Sequence, residues 1–213
     1  MPLHKIHRSG PGAVWAVWKL EEEADTLAAA LPQCDQCPDE IVFQRKRLEW
    51  LGGRFLVNHL LSEEGLTYSG LAKDESGKPF PIGLDYQITL SNSFPFVAAQ
   101  IHPLQPVGID LEIPRPKMVH VIPRVLSEEE QKDAGQDSQK LCIYWSAKEA
   151  LYKIYGKKNL IFSEHLHVEP FILSPSGILK CTIKLPDQQW NIELEYLSGP
   201  EYILTTTKSV EKK

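Results

Sequence analysis

The chain has 213 residues, 42% of them apolar, which is enough to bury a core in one large domain or two small ones and excludes a disordered or fibrous chain. Lys and Arg number 23 against 28 Asp and Glu, so the net charge of -5 gives no general attraction to nucleic acid or an anionic membrane, and an anionic ligand needs a local basic cluster. No apolar run approaches the ~20 residues of a membrane span, and Met1 to Lys5 leads into no signal-peptide core, so the expectation is a soluble, cytoplasmic protein.

In chain order, Gly12 to Lys19 reads as a strand, with Ala-Val-Trp-Ala-Val-Trp at its centre. Leu20 to Leu31, rich in Glu and Ala, reads as a helix that Pro32 ends. A longer helix is expected from Asp39 to Leu61, where Leu48, Leu51, Phe55 and His59 or Leu60 recur at helical spacing and Arg45, Lys46, Arg47 and Arg54 form the polar side. Gly52-Gly53 inside it costs roughly 1 kcal/mol per residue relative to Ala, which points to close approach of another backbone or a ligand.

Glu75 to Leu84 carries Gly77, Pro79, Pro81 and Gly83 and reads as a loop. Strand patterns follow at Gln87 to Leu90, Phe96 to His102 and Val107 to Glu112, the last two expected to form a hairpin across Pro103 to Pro106. Ser127 with Glu130 three residues later is a capping-box signature. A helix is expected from Ser138 to Tyr155, with Leu141, Tyr144, Leu151 and Ile154 as its apolar stripe and Gly156 closing it. Leu166 to Leu173, Ile178 to Leu185, Trp190 to Leu197 and Tyr202 to Thr207 then read as an antiparallel meander. The expected architecture is α+β, in two similar-sized subdomains spanning residues 1–105 and 106–213.

Asp110 and Glu112 stand two apart on a strand, so both carboxylates project from one face. Trp145, Glu149, Tyr152 and Lys153 lie off the apolar stripe of their helix, Glu149 and Lys153 form an i, i+4 pair, and Lys148 is adjacent. Three carboxylates with nearby lysines suit a hard divalent cation that also grips phosphate oxygens. Cys34, Cys37, Cys142 and Cys181 are too few for a disulfide framework, so reduced thiols are expected. Cys34-Asp35-Gln36-Cys37 has metal or redox spacing, but nothing nearby completes a zinc site, and the segment reads as a loop between Pro32 and Pro38.

Val107-Gly108-Ile109-Asp110-Leu111-Glu112, followed by Trp145-Ser146-Ala147-Lys148-Glu149-Ala150-Leu151-Tyr152-Lys153, resembles the signature of the 4′-phosphopantetheinyl transferases of the surfactin-synthetase-activating type. Gly77-Lys78-Pro79 and Leu90-Ser91-Asn92-Ser93 agree in order and spacing. The resemblance implies a pseudo-twofold α+β monomer of two subdomains with coenzyme A in the cleft between them. It implies Mg2+, with Mn2+ as the other option, bound by Asp110, Glu112 and Glu149. It also implies transfer of the phosphopantetheine arm from coenzyme A to a serine of an apo acyl or peptidyl carrier protein, as in holo-acyl-carrier-protein synthesis, with release of 3′,5′-adenosine bisphosphate.

Within that reaction Glu149 is the candidate base, Lys153 the residue that stabilises the departing phosphate, and Lys148 a clamp on the pyrophosphate. Lys78 and Pro79 would lie by the adenine, Arg47 or Arg54 would hold the 3′-phosphate, Ser91 and Asn92 would contact coenzyme A, and Lys157 and Lys158 would meet an acidic carrier. The chain departs from the family pattern at Asn92, where His is usual, so a phosphate contact there loses its charge, and at Asn159, where Gly is usual. The residues alone leave two other readings open: a non-catalytic paralogue that binds coenzyme A or a carrier, and a metal-dependent phosphodiesterase.

Overall fold

The computed structural model describes residues 3–10, 12–116 and 118–212; the side chains of Leu3, Cys34, Val121 and Pro123 fall outside that description. The fold is α+β with antiparallel sheets, as the element pattern leads one to expect, and the chain divides into two compact units, Met1–Val107 and Gly108–Lys213.

The first unit contains β1 (Leu3–Gly10), β2 (Ala13–Lys19), α1 (Ala24–Ala29), α2 (Gln44–Glu63), β3 (Leu71–Lys73), β4 (Pro79–Pro81), β5 (Gln87–Ser93) and β6 (Phe96–His102). Its main sheet has the order β1-β2-β6-β5. The two central strands carry the continuous apolar runs: Val14 to Trp18 and Phe96 to Ile101 are buried throughout, as strands covered on both faces must be. β1 is a strand that alternation did not announce, because its residues Lys5, His7 and Arg8 are exposed along an edge.

The α1 expectation shortens from twelve residues to six, since Leu20 N–H donates to Pro95 O at 2.7 Å and keeps that segment extended. α2 begins at Gln44 and not at Asp39, the preceding residues being held in a turn by Ile41 N–H on Pro38 O. A Cβ on Gly52 would stand 2.4 Å from Leu20 Cδ2, so the close neighbour is a core side chain and not backbone. The loop expected at Glu75 to Leu84 contains part of a short ladder, β3 on β4, closed by the Asp74 carboxylate accepting the N–H groups of Ser76 and Lys78 at 2.9 Å each.

The second unit contains β7 (Ile109–Glu112), α3 (Met118–Val121), α4 (Glu128–Ala134), α5 (Ser138–Tyr155), α6 (Phe162–His165), β8 (Leu166–Val168), β9 (Ser176–Leu185), β10 (Gln188–Ser198) and β11 (Ile203–Lys212). The sheet order is β7-β11-β10-β9-β8. The expected β6 to β7 hairpin does not form. Both edges of β6 are already taken by β2 and β5, and β7 instead pairs with β11, Asp110 opposite Thr205 and Glu112 opposite Ile203. β8 is shorter than its apolar run, because Pro170 cannot donate to a ladder.

Helix α5 lies across this sheet. Leu141, Tyr144, Ala147, Leu151 and Ile154 pack on Leu179, Ile192, Leu194 and Ile203 in one core. Its ends are capped as the sequence requires: Asp137 accepts from Gln139 and Lys140 N–H at 2.9 and 3.0 Å, and Gly156 adopts a left-handed φ of 70°. The capping box of α4 also forms, with Ser127 N–H on Glu130 Oε2 at 2.7 Å and Glu130 N–H on Ser127 Oγ at 3.3 Å.

Candidate active site

The distance between β7 and α5 is set by a glycine. A Cβ on Gly108 would stand 2.0 Å from the backbone oxygen of Ala150, so only glycine lets the helix approach the strand this closely. Thr207 secures the same point from β11: its Oγ1 accepts from Gly108 N–H at 2.7 Å and donates to Gly108 O at 3.0 Å. One turn back along the helix, Ser146 Oγ donates to Asp110 O at 3.2 Å, and Thr205 Oγ1 donates to Ser146 O at 2.9 Å. Strand β7 is thereby fixed against the middle of α5.

This junction brings Asp110 and Glu112 of β7 into one electrostatic neighbourhood with Glu149 and Lys153 of α5. Asp110 is 4% exposed, and Lys153 Nζ donates to its Oδ1 at 2.8 Å and to Ile109 O at 2.8 Å. The expected helical pair therefore resolves differently: the ammonium of Lys153 bonds Asp110 across elements, while Glu149 feels it only as a nearby charge. A lysine offers three N–H donors, so two used on β7 leave one for a ligand oxygen.

Burial, together with the Asp110 charge, pushes the Glu149 carboxyl up to about 7; Lys153 opposes this and Glu112 adds to it. Glu112 is also raised, by burial and by Asp110, against the hydrogen bond from Trp145 and the charges of Lys153 and Arg115. Among the described residues no three Asp, Glu, His or Cys side chains stand at coordination spacing. The chemistry of the donor set nevertheless fits a hard divalent cation: the Asp110 charge raises both Glu112 and Glu149, and a cation among the three carboxylates would relieve that repulsion.

Lys148 requires a correction. It was expected to clamp pyrophosphate, yet its side chain is 0% exposed, and its ammonium donates to Glu130 Oε2 at 2.7 Å, Phe162 O at 2.9 Å and Leu166 O at 2.7 Å. All three donors are spent inside the unit. The reason is helical geometry: residue 148 points about 100° away from residue 149, toward α4 and β8, where the capping-box carboxylate awaits it. Trp145 and Arg115 are the residues of the cluster to which the sequence reading gave no role. Trp145 Nε1 donates to Glu112 Oε1 at 2.9 Å, and its place one turn before Glu149 was the available signal.

The remaining candidates belong to other elements. Lys157 and Lys158 are exposed just beyond α5. In the first unit Arg47 is half-buried on α2, while Arg54 donates to Asp35 Oδ1 at 2.8 Å with its guanidinium 3.4 Å from the Trp50 ring centroid. Asp35 also accepts from Tyr68. Lys78 ends the Asp74 turn, Pro79 opens β4, and Ser91 is half-buried on β5. Asn92 is an exposed strand residue opposite Val97 and borders a groove of about 410 Å³ with Ile41, Val42, Phe43, Lys46 and Trp50. Cys37 is half-buried with burial raising its thiol pKa; Cys34, the other half of that motif, has its side chain outside the described residues. Cys37, Cys142 and Cys181 are free thiols.

No helix among the described residues is long and apolar enough to cross a membrane. No curated protein matches the chain. Residues 106–207, the stretch from just before β7 to the middle of β11 that contains Asp110, Glu112, Glu149 and Lys153, match the family model of the 4′-phosphopantetheinyl transferase superfamily.

Proposed function

We propose that the protein transfers the 4′-phosphopantetheine arm of coenzyme A to a serine of an apo acyl or peptidyl carrier protein, as a monomeric cytoplasmic transferase of the surfactin-synthetase-activating type. The observation that carries this reading is the convergence of Asp110, Glu112, Glu149 and Lys153 at one strand-helix junction inside the matched region.

A serine hydroxyl is a weak nucleophile and needs a base. Glu149, within the carboxylate cluster, takes the serine proton directly or through a water as the oxygen attacks the β-phosphorus of coenzyme A. The bond to the bridging oxygen breaks, and the third N–H of Lys153 meets the charge that builds on the departing 3′,5′-adenosine bisphosphate. Asp110, Glu112 and Glu149 would hold a Mg2+ or Mn2+, which supplies charge neutralisation and polarisation at phosphate oxygens. Arg47, Arg54, Lys78, Pro79, Ser91 and Asn92 are the proposed coenzyme A contacts, and the exposed Lys157 and Lys158 the proposed carrier contacts.

The test is mass spectrometry of a panel of apo carrier proteins after incubation with the protein, coenzyme A and Mg2+. A carrier serine gains one phosphopantetheine arm and adenosine bisphosphate is released. Glu149→Gln lowers the rate by roughly 10² to 10⁴. Release of adenosine bisphosphate without a modified serine would mean a phosphodiesterase, and binding without either product a non-catalytic paralogue.

A further inference from the structure

We propose that Trp145 is a positioning residue for this site, holding Glu112 in its ligand orientation from a platform anchored by the buried Lys148. The inference rests on the reading of Glu112 as a metal ligand.

The contacts form a continuous chain. Trp145 Nε1 donates to Glu112 Oε1 at 2.9 Å, which fixes one carboxylate oxygen; the second is the one that would meet a cation. The indole is itself held: it stacks on the Phe162 ring with centroids 6.2 Å apart at 28°, and Tyr152 lies against the same ring at 5.5 Å. Trp145 and Tyr152 lie one turn before and one turn after Glu149 on α5, and both rings meet Phe162. Phe162 in turn is tied down through its backbone, since its carbonyl accepts from Lys148 Nζ at 2.9 Å. Lys148 is locked by Glu130, whose Oε1 also accepts from Val168 N–H at 2.9 Å and whose Oε2 accepts the capping bond from Ser127. The lysine adjoining the proposed base therefore acts on the site from behind, through Phe162 and Trp145. Hydrogen bonds to a ligand carboxylate of this kind typically hold a 10- to 100-fold share of metal affinity.

The experiment measures Mn2+ binding by the paramagnetic resonance signal of the free ion, together with transfer kinetics. It compares the wild type with Trp145→Phe, which keeps an aromatic ring and removes the N–H, and with Phe162→Leu, which keeps the N–H and removes the stack. Glu112→Gln serves as the reference for loss of the ligand. Trp145→Phe is expected to weaken Mn2+ about 10-fold, with turnover recovering at saturating Mn2+ and KM for coenzyme A unchanged. Phe162→Leu shifts affinity in the same direction by a smaller factor. A purely structural role would lower turnover at every metal concentration and leave the Mn2+ affinity of the folded fraction unchanged, and that result overturns the inference. Where Glu112→Gln weakens Mn2+ but Trp145→Phe does not, the positioning role alone fails. Where neither the wild type nor any variant binds Mn2+, the metal reading of Glu112 fails and the inference with it.

Discussion

Two lysines five residues apart on α5 meet opposite fates. Lys148 is fully buried and gives its three donors to Glu130 and two carbonyls, whereas Lys153 has a quarter of its side chain exposed and bonds Asp110 and Ile109 O with one donor to spare. The first faces α4 and β8, where Glu130 accepts from it and also from the N–H groups of Ser127 and Val168. The second faces β7, where three carboxylates gather around too little positive charge. A group whose bonds are complete has nothing left to offer a ligand, so of the two sides only the one with crowded carboxylates and a spare donor is open to binding.

The strongest way to break that contrast is to remove each ammonium in turn. Lys148→Met leaves Glu130 as a buried charge without its partner and should cost about 3 to 5 kcal/mol in urea unfolding. Adding Glu130→Gln recovers part of this, since Gln keeps an acceptor for the capping bond. Lys153→Met also leaves a buried carboxylate, Asp110, without its ammonium, but from a lysine that is a quarter exposed, so it should cost less, about 1 to 3 kcal/mol, and show its main effect on turnover. Equal losses from the two lysines would erase the distinction.

Gly108→Ala tests whether the carboxylate side depends on close approach. Its Cβ meets Ala150 O at 2.0 Å, so α5 must retreat from β7, at a cost of about 1 to 3 kcal/mol in stability and with loss of transfer. A variant of wild-type stability that retained full transfer would show that the spacing is immaterial.

Glu149→Gln sharpens the comparison through pH. The folded carboxyl is raised from 4.5 to about 7, so the folded state holds the proton more tightly than the unfolded one. Below 4.5 both states are protonated and nothing is lost; between 4.5 and 7 stability falls as pH rises, and above 7 the whole cost is present. In metal-free buffer at pH ~8, Glu149→Gln should therefore be more stable than the wild type by about 1 to 3 kcal/mol, the gap closing toward pH ~4.5. Thermal melts at the two pH values, with and without Mg2+, check this, and a gap independent of pH would refute it.

The smallest effect is expected at Lys157 and Lys158, exposed beyond Gly156 and outside both networks. Reversing their charge should leave unfolding within about 0.5 kcal/mol. Under the proposed function it should also raise the carrier KM severalfold and flatten its dependence on salt. An unchanged KM removes them from the interface.

Local elements were legible in the sequence, as was the pair of carboxylates on one strand face. α5 has the bounds that Asp137, the 3.6-residue apolar stripe and Gly156 specify, and the α4 capping box follows from Ser127 and Glu130, because caps and periodicity are set by neighbours in the chain. Strand alternation likewise put Asp110 and Glu112 on one side of β7. Tertiary structure alone decided what each element meets. β7 pairs with β11, more than ninety residues away, and not with the adjacent β6, whose edges were already filled. The twin lysines of the Lys148 to Lys153 stretch look alike in one dimension, and only the packing of α4 and β8 against one side of the helix buries the first and leaves the second partly exposed beside Asp110. Pairing and burial are settled by which surfaces close on which, and no spacing rule along the chain encodes that choice.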